Sequence, residues 1–125
     1  MKLKTVYRVT TFVPPEHLET LLKGITSVVP LAYGRYDHVA WWSAPGIEQF
    51  RPQEGSNPTL GHTDTVERGD SIKLEFAIPR DDELLHRLLT DGIIKSHPWE
   101  EPVIYVSECQ TTRVQIDESD LATAK

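Results

Sequence analysis

Residues 71–79, SIKLEFAIP, set Ile72, Leu74, Phe76 and Ile78 against Lys73, Glu75 and Ala77 in strict alternation, the period of a strand with one buried face. Such a strand needs a cover for its apolar side. Two segments can supply it. After KTVYRVTTFV, a β-branched and aromatic run stopped by Pro14 and Pro15, the residues Leu18, Leu21, Leu22, Ile25 and Val29 recur at helical spacing, with Pro15 suited to a first turn and Pro30 to the end. A second helix is predicted after Pro79, with Asp81, Asp82 and Glu83 in its first turn and Leu84, Leu85, Leu88 and Leu89 as its apolar stripe. Gly92 is expected to end or fray it. The run VIYVSECQ after Pro102 supplies a last strand, continued by TTRVQI past an irregularity at residues 110–112.

Between the first helix and the central strand, a turn at Tyr33-Gly34-Arg35 leads to residues 36–43, YDHVAWWS, read as a strand with Val39 and Trp41 on one face and His38, Ala40 and Trp42 on the other. Tryptophan on both faces suggests that a second subunit covers the side away from the helices. The segment APGIEQFRPQEGSNPTLGH lacks the periodicity of a helix or long strand. It reads as an ordered loop because Ile47, Phe50 and Leu60 offer apolar anchors. A short strand over 63–68 and a turn at Gly69-Asp70 complete this part. The order is β-α-β-β-α-β, the α+β ferredoxin-like sandwich with helices on one face of the sheet and a long loop between its middle strands. At 125 residues and 14.2 kDa the chain is expected to form one domain over residues 1–116, followed by a flexible tail at 117–125.

The opening strand with VPPEHLETLL, the run YGRYDHVAWWSAPGIEQFRPQEGSNPTLG, the strand IKLEFAIP and the segment IIKSHPWEEPVIYV together resemble the PII-like, CutA-like domain that is inserted in the YbgI/YqfO family of predicted dinuclear-metal proteins and also occurs as a small free-standing protein. The pattern from Gly46 to Gly61 and the HPWEEP segment are its most specific parts. The resemblance implies a PII/CutA-like sandwich that assembles as dimers or trimers and binds small effectors in loops between subunits. In this chain Ala44, Pro45, Ile47 and Glu48 replace a glycine-rich approach to FRP. The domains that carry the family's two-metal site are not among these 125 residues, so their hydrolase chemistry does not transfer.

In Ser96-His97-Pro98-Trp99-Glu100-Glu101-Pro102 two prolines restrict the backbone and hold the residues before them, His97 and Glu101, extended. Its imidazole and carboxylates are the donor types of a divalent-metal site, with His97, Glu100, His62 and His38 as candidate ligands. The alternative is a rigid turn in which His97 bonds to backbone and a glutamate pairs with Arg51 or Arg35. Arg51, between Phe50 and Pro52, presents a five-donor fork to a carboxylate or phosphate, with Ser56 and Asn57 of the following turn adding donors. The competing use is a structural pair with Glu54, Glu75, Glu100 or Glu101. Trp99 and Glu101 complete the candidate ligand-binding set of Arg51, Ser56, Asn57, Trp99 and Glu101. Trp41 and Trp42 suit core or interface as well as a flat ligand. No catalytic residue is assigned, because Cys109 has neither a CxxC neighbour nor a local base.

Thirteen Lys and Arg against nineteen Asp and Glu, a net charge of -6, leave no electrostatic footprint for nucleic acid. No run approaches the ~20 apolar residues of a membrane span, and the MKLKTVYRVTTFV start has too short an apolar stretch for a signal. A single cysteine suits the cytoplasm. Three readings remain. The first is a non-catalytic oligomeric binding or regulatory module, a homodimer or homotrimer with a small effector at the subunit boundary. The second is a ferredoxin-like enzyme of monooxygenase or isomerase type, requiring His38, Trp42 and His97 around an enclosed cavity. The third is a divalent-metal binder, with that metal the only cofactor considered.

Overall fold

A computed structural model describes residues 1–58 and 61–114. Strand β1 spans Lys2–Val13, and a tight turn at Pro15–His17 leads into helix α1, Leu18–Thr26. Then come the two-residue strand β2, Trp41–Trp42, and strand β3, Gly46–Phe50. Strand β4 covers Glu67–Pro79, helix α2 Asp82–Arg87, and strand β5 Ile104–Arg113. The sheet order is β2-β4-β1-β5, with β3 attached to the first half of β4 off that path. All these pairings are antiparallel. This is the expected ferredoxin-like sandwich.

Both helices cover the face that alternation assigns to the core. Val9 and Val13 of β1, Leu74 and Ile78 of β4, and Leu21, Ile25, Leu88 and Ile93 from the helices are almost fully buried. Burial of each such side chain contributes about 1.5–3 kcal/mol. Leu84, Leu85 and Leu89 are only partly buried. Asp81 caps α2, its Oδ1 accepting from Leu84 N–H at 3.0 Å; such a cap stabilises by about 1 kcal/mol.

Gly92 does not end the second helix. The chain widens into a π-type turn over Leu88–Ile94, and Gly92 is buried within it. The reason is the close crossing with α1. A Cβ at Gly24 would lie 1.9 Å from Ser96 Oγ and 2.7 Å from the Gly92 carbonyl oxygen, so the helices meet at two glycines.

Four further expectations are corrected. The second strand shrinks from 36–43 to Trp41–Trp42, because His38 adopts a left-handed φ of 57° and residues 38 and 39 donate their N–H groups to Pro30 and Leu31 carbonyls. Gly69 and Asp70 do not turn. They lie inside β4 and pair with Glu48 and Ile47, so the supposed loop contains a hairpin. The turn falls instead at residues 62–65, where Asp64 has a φ of 65°. Strand β5 is regular through residues 110–112, in unbroken register with β1 from Lys2↔Arg113 to Thr11↔Ile104. Of the proposed loop anchors, Ile47 is exposed and Phe50 half-buried. Leu60 and the tail at 117–125 lie outside the described residues.

Candidate functional site

One groove of about 740 Å³ lies between the limb that follows β3 and the turn before β5. Alternation along β3 puts Glu48 and Phe50 on the side that lines it, with Ile47 and Gln49 pointing away. Residues 51–58 form one wall, and Trp99, Glu100, Glu101 and Val103 the other. All five residues of the candidate ligand set, Arg51, Ser56, Asn57, Trp99 and Glu101, are therefore brought together. Glu100 joins them.

His97 holds the second wall in place from below. It is buried, its Nε2–H donating to the Phe12 carbonyl at 2.6 Å and its Nδ1 accepting from Trp99 N–H at 3.1 Å. These roles require the neutral ring. Burial lowers the His97 pKa; the bond to Phe12 opposes this, and nearby His17 adds to the lowering. Its ring lies against that of Trp99 at 4.9 Å between centroids. With both nitrogens engaged, His97 serves as the pin of the turn.

The first wall is fastened at three points. Asn57 N–H donates to Glu100 Oε1 at 2.7 Å across the groove. Ser56 folds the 53–56 turn, its hydroxyl donating to the Gln53 carbonyl at 2.6 Å. Asp64 N–H donates to the Pro52 carbonyl at 2.5 Å. Arg51 lies 4.0 Å from Asp64, a partner outside the four glutamates weighed for it. Both side chains are exposed, so the pair contributes less than about 1 kcal/mol.

The groove's charge is lopsided. Glu48, Glu54, Glu100 and Glu101 face a single guanidinium, and that guanidinium leans toward Asp64. Burial raises the Glu48 pKa, as expected for a carboxylate moved out of water without a counter-charge. Such a lining opposes a bare polyphosphate and accommodates a cation or a cation-carried effector.

The other metal candidates are dispersed. His38 is exposed and pairs with its neighbour Asp37 at 3.0 Å. His62 is exposed and its backbone N–H donates to Glu67 Oε1. Neither lines the groove. Among the described residues no group of three or more His, Cys, Asp or Glu side chains is placed to hold a metal ion. The enclosed cavity required for the enzyme reading is not formed by His38, Trp42 and His97: the first two are exposed, and the third points into backbone.

The sheet face away from the helices carries a row in register, Trp41, Glu75, Thr10 and Tyr105. Glu75 accepts from the Thr10 hydroxyl at 3.0 Å and lies 3.7 Å from Arg8. Trp41 is 56% and Tyr105 63% exposed, so this face has aromatic rims around a satisfied polar centre. Among the described residues no helix is long and apolar enough to cross a membrane.

Sequence reasoning missed Glu48 as a groove residue. The signal was the alternation of Glu48 and Phe50 with Ile47 and Gln49, legible only once GIEQF is recognised as a strand.

No protein-family model matches the chain. It is 33% identical over 97 residues to a GTP cyclohydrolase 1 type 2 homolog of Staphylococcus epidermidis, covering 78% of this chain and 25% of that protein. The chain thus spans about a quarter of the length of the curated relatives it matches. A Bacillus cereus protein related to NIF3 superposes with a TM-score of 0.68 at 26% identity, over 87% of this chain and 27% of that one. Two further structures share the fold alone. CutA1 of Ehrlichia chaffeensis, a divalent ion tolerance protein, has a TM-score of 0.55 at 9% identity, covering 93% and 88% of the two chains. The PII-like protein CPII of Thiomonas intermedia K12, bound to ADP and bicarbonate, has a TM-score of 0.51 at 18% identity, covering 90% and 93%. Sequence and structure together show homology to NIF3-related proteins and a PII/CutA-like fold.

Proposed function

We propose that this chain is a non-catalytic binding or regulatory module that self-associates and takes a small effector in the groove between residues 51–58 and 99–103. The observation that carries this reading is the convergence of Arg51, Ser56, Asn57, Trp99 and Glu101, from two segments distant in sequence, on one open groove. An open groove with one aromatic wall suits reversible binding, and among the described residues no nucleophile with a positioned base lines it. The fold likeness to a PII-like protein bound to ADP and bicarbonate supports a ligand-responsive role. The carboxylate-rich lining favours an effector that is cationic or arrives with a divalent cation, and Glu100 and Glu101 are the donors for such an ion.

Self-association is supported by the exposed aromatic row on the open sheet face, with Trp41 and Tyr105 as its anchors. The proposed setting is the cytoplasm. Native mass spectrometry of untreated protein tests both parts at once, reporting subunit number and any retained ion or small molecule. Retained mass that disappears in Trp99→Ala and Glu101→Gln variants is the expected result. A bare single subunit that also fails to take up magnesium or ADP with magnesium on titration overturns the reading.

A further inference from the structure

A second concavity lies at the other end of the sheet and shares no residue with the groove. It follows from unequal strand lengths. Strand β4 stops at Pro79, opposite Val6, whereas β1 pairs with β5 back to Lys2. The first residues of β1 therefore have a strand partner on one side only. The chain leaving α1 runs beside that notch and leaves a crevice of about 310 Å³, within the range of small-ligand pockets, which begins near 300 Å³.

Its lining is apolar apart from two cations. Val6, Val29, Ile78 and Leu84 contribute to the walls, and among the described residues Lys4 and Arg113 are the only charged ones that line it. In a chain of net charge -6, a crevice to which the described residues bring two cations and no carboxylate runs against the average. Arg113 is held in place: its guanidinium stacks 4.0 Å over the Tyr33 ring and its Nη1 donates to the Thr112 carbonyl at 3.0 Å, which also accepts from the Tyr33 hydroxyl at 2.7 Å. A guanidinium has five N–H donors, and one is used in that bond. Lys4 is exposed and forms no ion pair among the described residues.

We infer that this crevice binds a small monocarboxylate with a compact branched or aromatic body, its carboxylate between Lys4 and Arg113 and its apolar part against Val6, Val29, Ile78 and Leu84. Charge complementarity selects the head group. The walls select the body, because a bare anion makes no contact with them and a neutral apolar molecule leaves both cations uncompensated.

The test titrates the full chain with isocaproate, its amide and inorganic phosphate, followed by calorimetry and by backbone and methyl NMR. Expected are saturable shifts at Val6, Val29, Ile78 and Leu84 with isocaproate. The amide should bind at least about tenfold more weakly, and Lys4→Gln and Arg113→Gln should each weaken isocaproate about tenfold with the fold retained, the worth of a hydrogen bond to a charged group. Equal binding of carboxylate and amide, phosphate binding as tight as isocaproate, shifts confined to the groove, or no saturable binding would each overturn the assignment.

Discussion

The groove and the crevice are opposites in construction as well as in charge. The groove is walled by irregular chain, held by His97, the Asn57 to Glu100 bond and the tie between Pro52 and Asp64. The crevice is walled by β1, the end of β4 and the exit of α1, whose inner residues belong to the core. A concavity on loops gathers polar groups from distant positions and depends on a few bonds. One left by unequal strands inherits its rigidity from the sheet. Local unfolding should therefore reach the groove first.

The sharpest way to break this contrast is His97→Ala. It strands the Phe12 carbonyl and the Trp99 N–H, and a loss of about 2 kcal/mol is expected from two part-buried groups left unpaired. Chemical denaturation gives the stability, and Trp99 fluorescence should report a loosened groove wall. Hydrogen exchange at β1 and β4 should keep its protection pattern once corrected for global stability. Equal loosening of the crevice would show that the two regions are one unit.

Gly24→Ala tests the framework instead. Its new methyl group would meet Ser96 Oγ and the Gly92 carbonyl, so a loss of about 2 kcal/mol is expected for overpacking a close crossing. Because Ser96 adjoins His97, the variant should disturb both regions. Recovery in Gly24→Ala with Ser96→Gly, measured by thermal melting, would be partial, since the Gly92 carbonyl remains in the way.

A smaller effect should appear with pH. Burial lowers the His97 pKa from its ordinary 6.5, so between that value and the lower folded one the unfolded chain binds more protons. This contribution is fully present above the unfolded value, falls as the pH drops below it, and is lost once the pH passes the folded value. Melting temperature followed downward from neutral pH should show this decline, and His97→Phe should flatten it. An unchanged slope in that variant would assign the decline to carboxylates.

The least effect is expected from Arg51→Ala. Its pair with Asp64 is long and exposed, so stability should change by less than about 1 kcal/mol. A large drop in melting temperature would instead make Arg51 the fastener that the FRP segment suggests.

The core was legible in the sequence because it is written in local periods. Alternation through Ile72, Leu74, Phe76 and Ile78, and helical spacing through Leu18, Leu21, Ile25 and Val29, name buried faces without knowledge of what covers them. The element order and the prolines around them then leave few ways to stack two helices on one sheet. The candidate ligand residues were legible for a similar reason: Arg51, Ser56, Asn57, Trp99 and Glu101 sit where prolines and glycines forbid regular structure.

Other features exist only through long-range pairing. β3 is a strand because Glu67–Ser71 lies beside it, and GIEQF by itself carries too short a pattern. His38 turns out of strand geometry because its N–H is taken by Pro30, eight residues back. Gly92 continues a helix because α1 presses on it, and His97 faces inward because the Phe12 carbonyl awaits it. Amino-acid order by itself determined which faces are apolar and where the chain must bend, since both follow from side-chain spacing and backbone sterics. The fold decided which polar groups meet, and hence where each charge collects, because hydrogen bonds and strand ends pair residues with no local relation to one another.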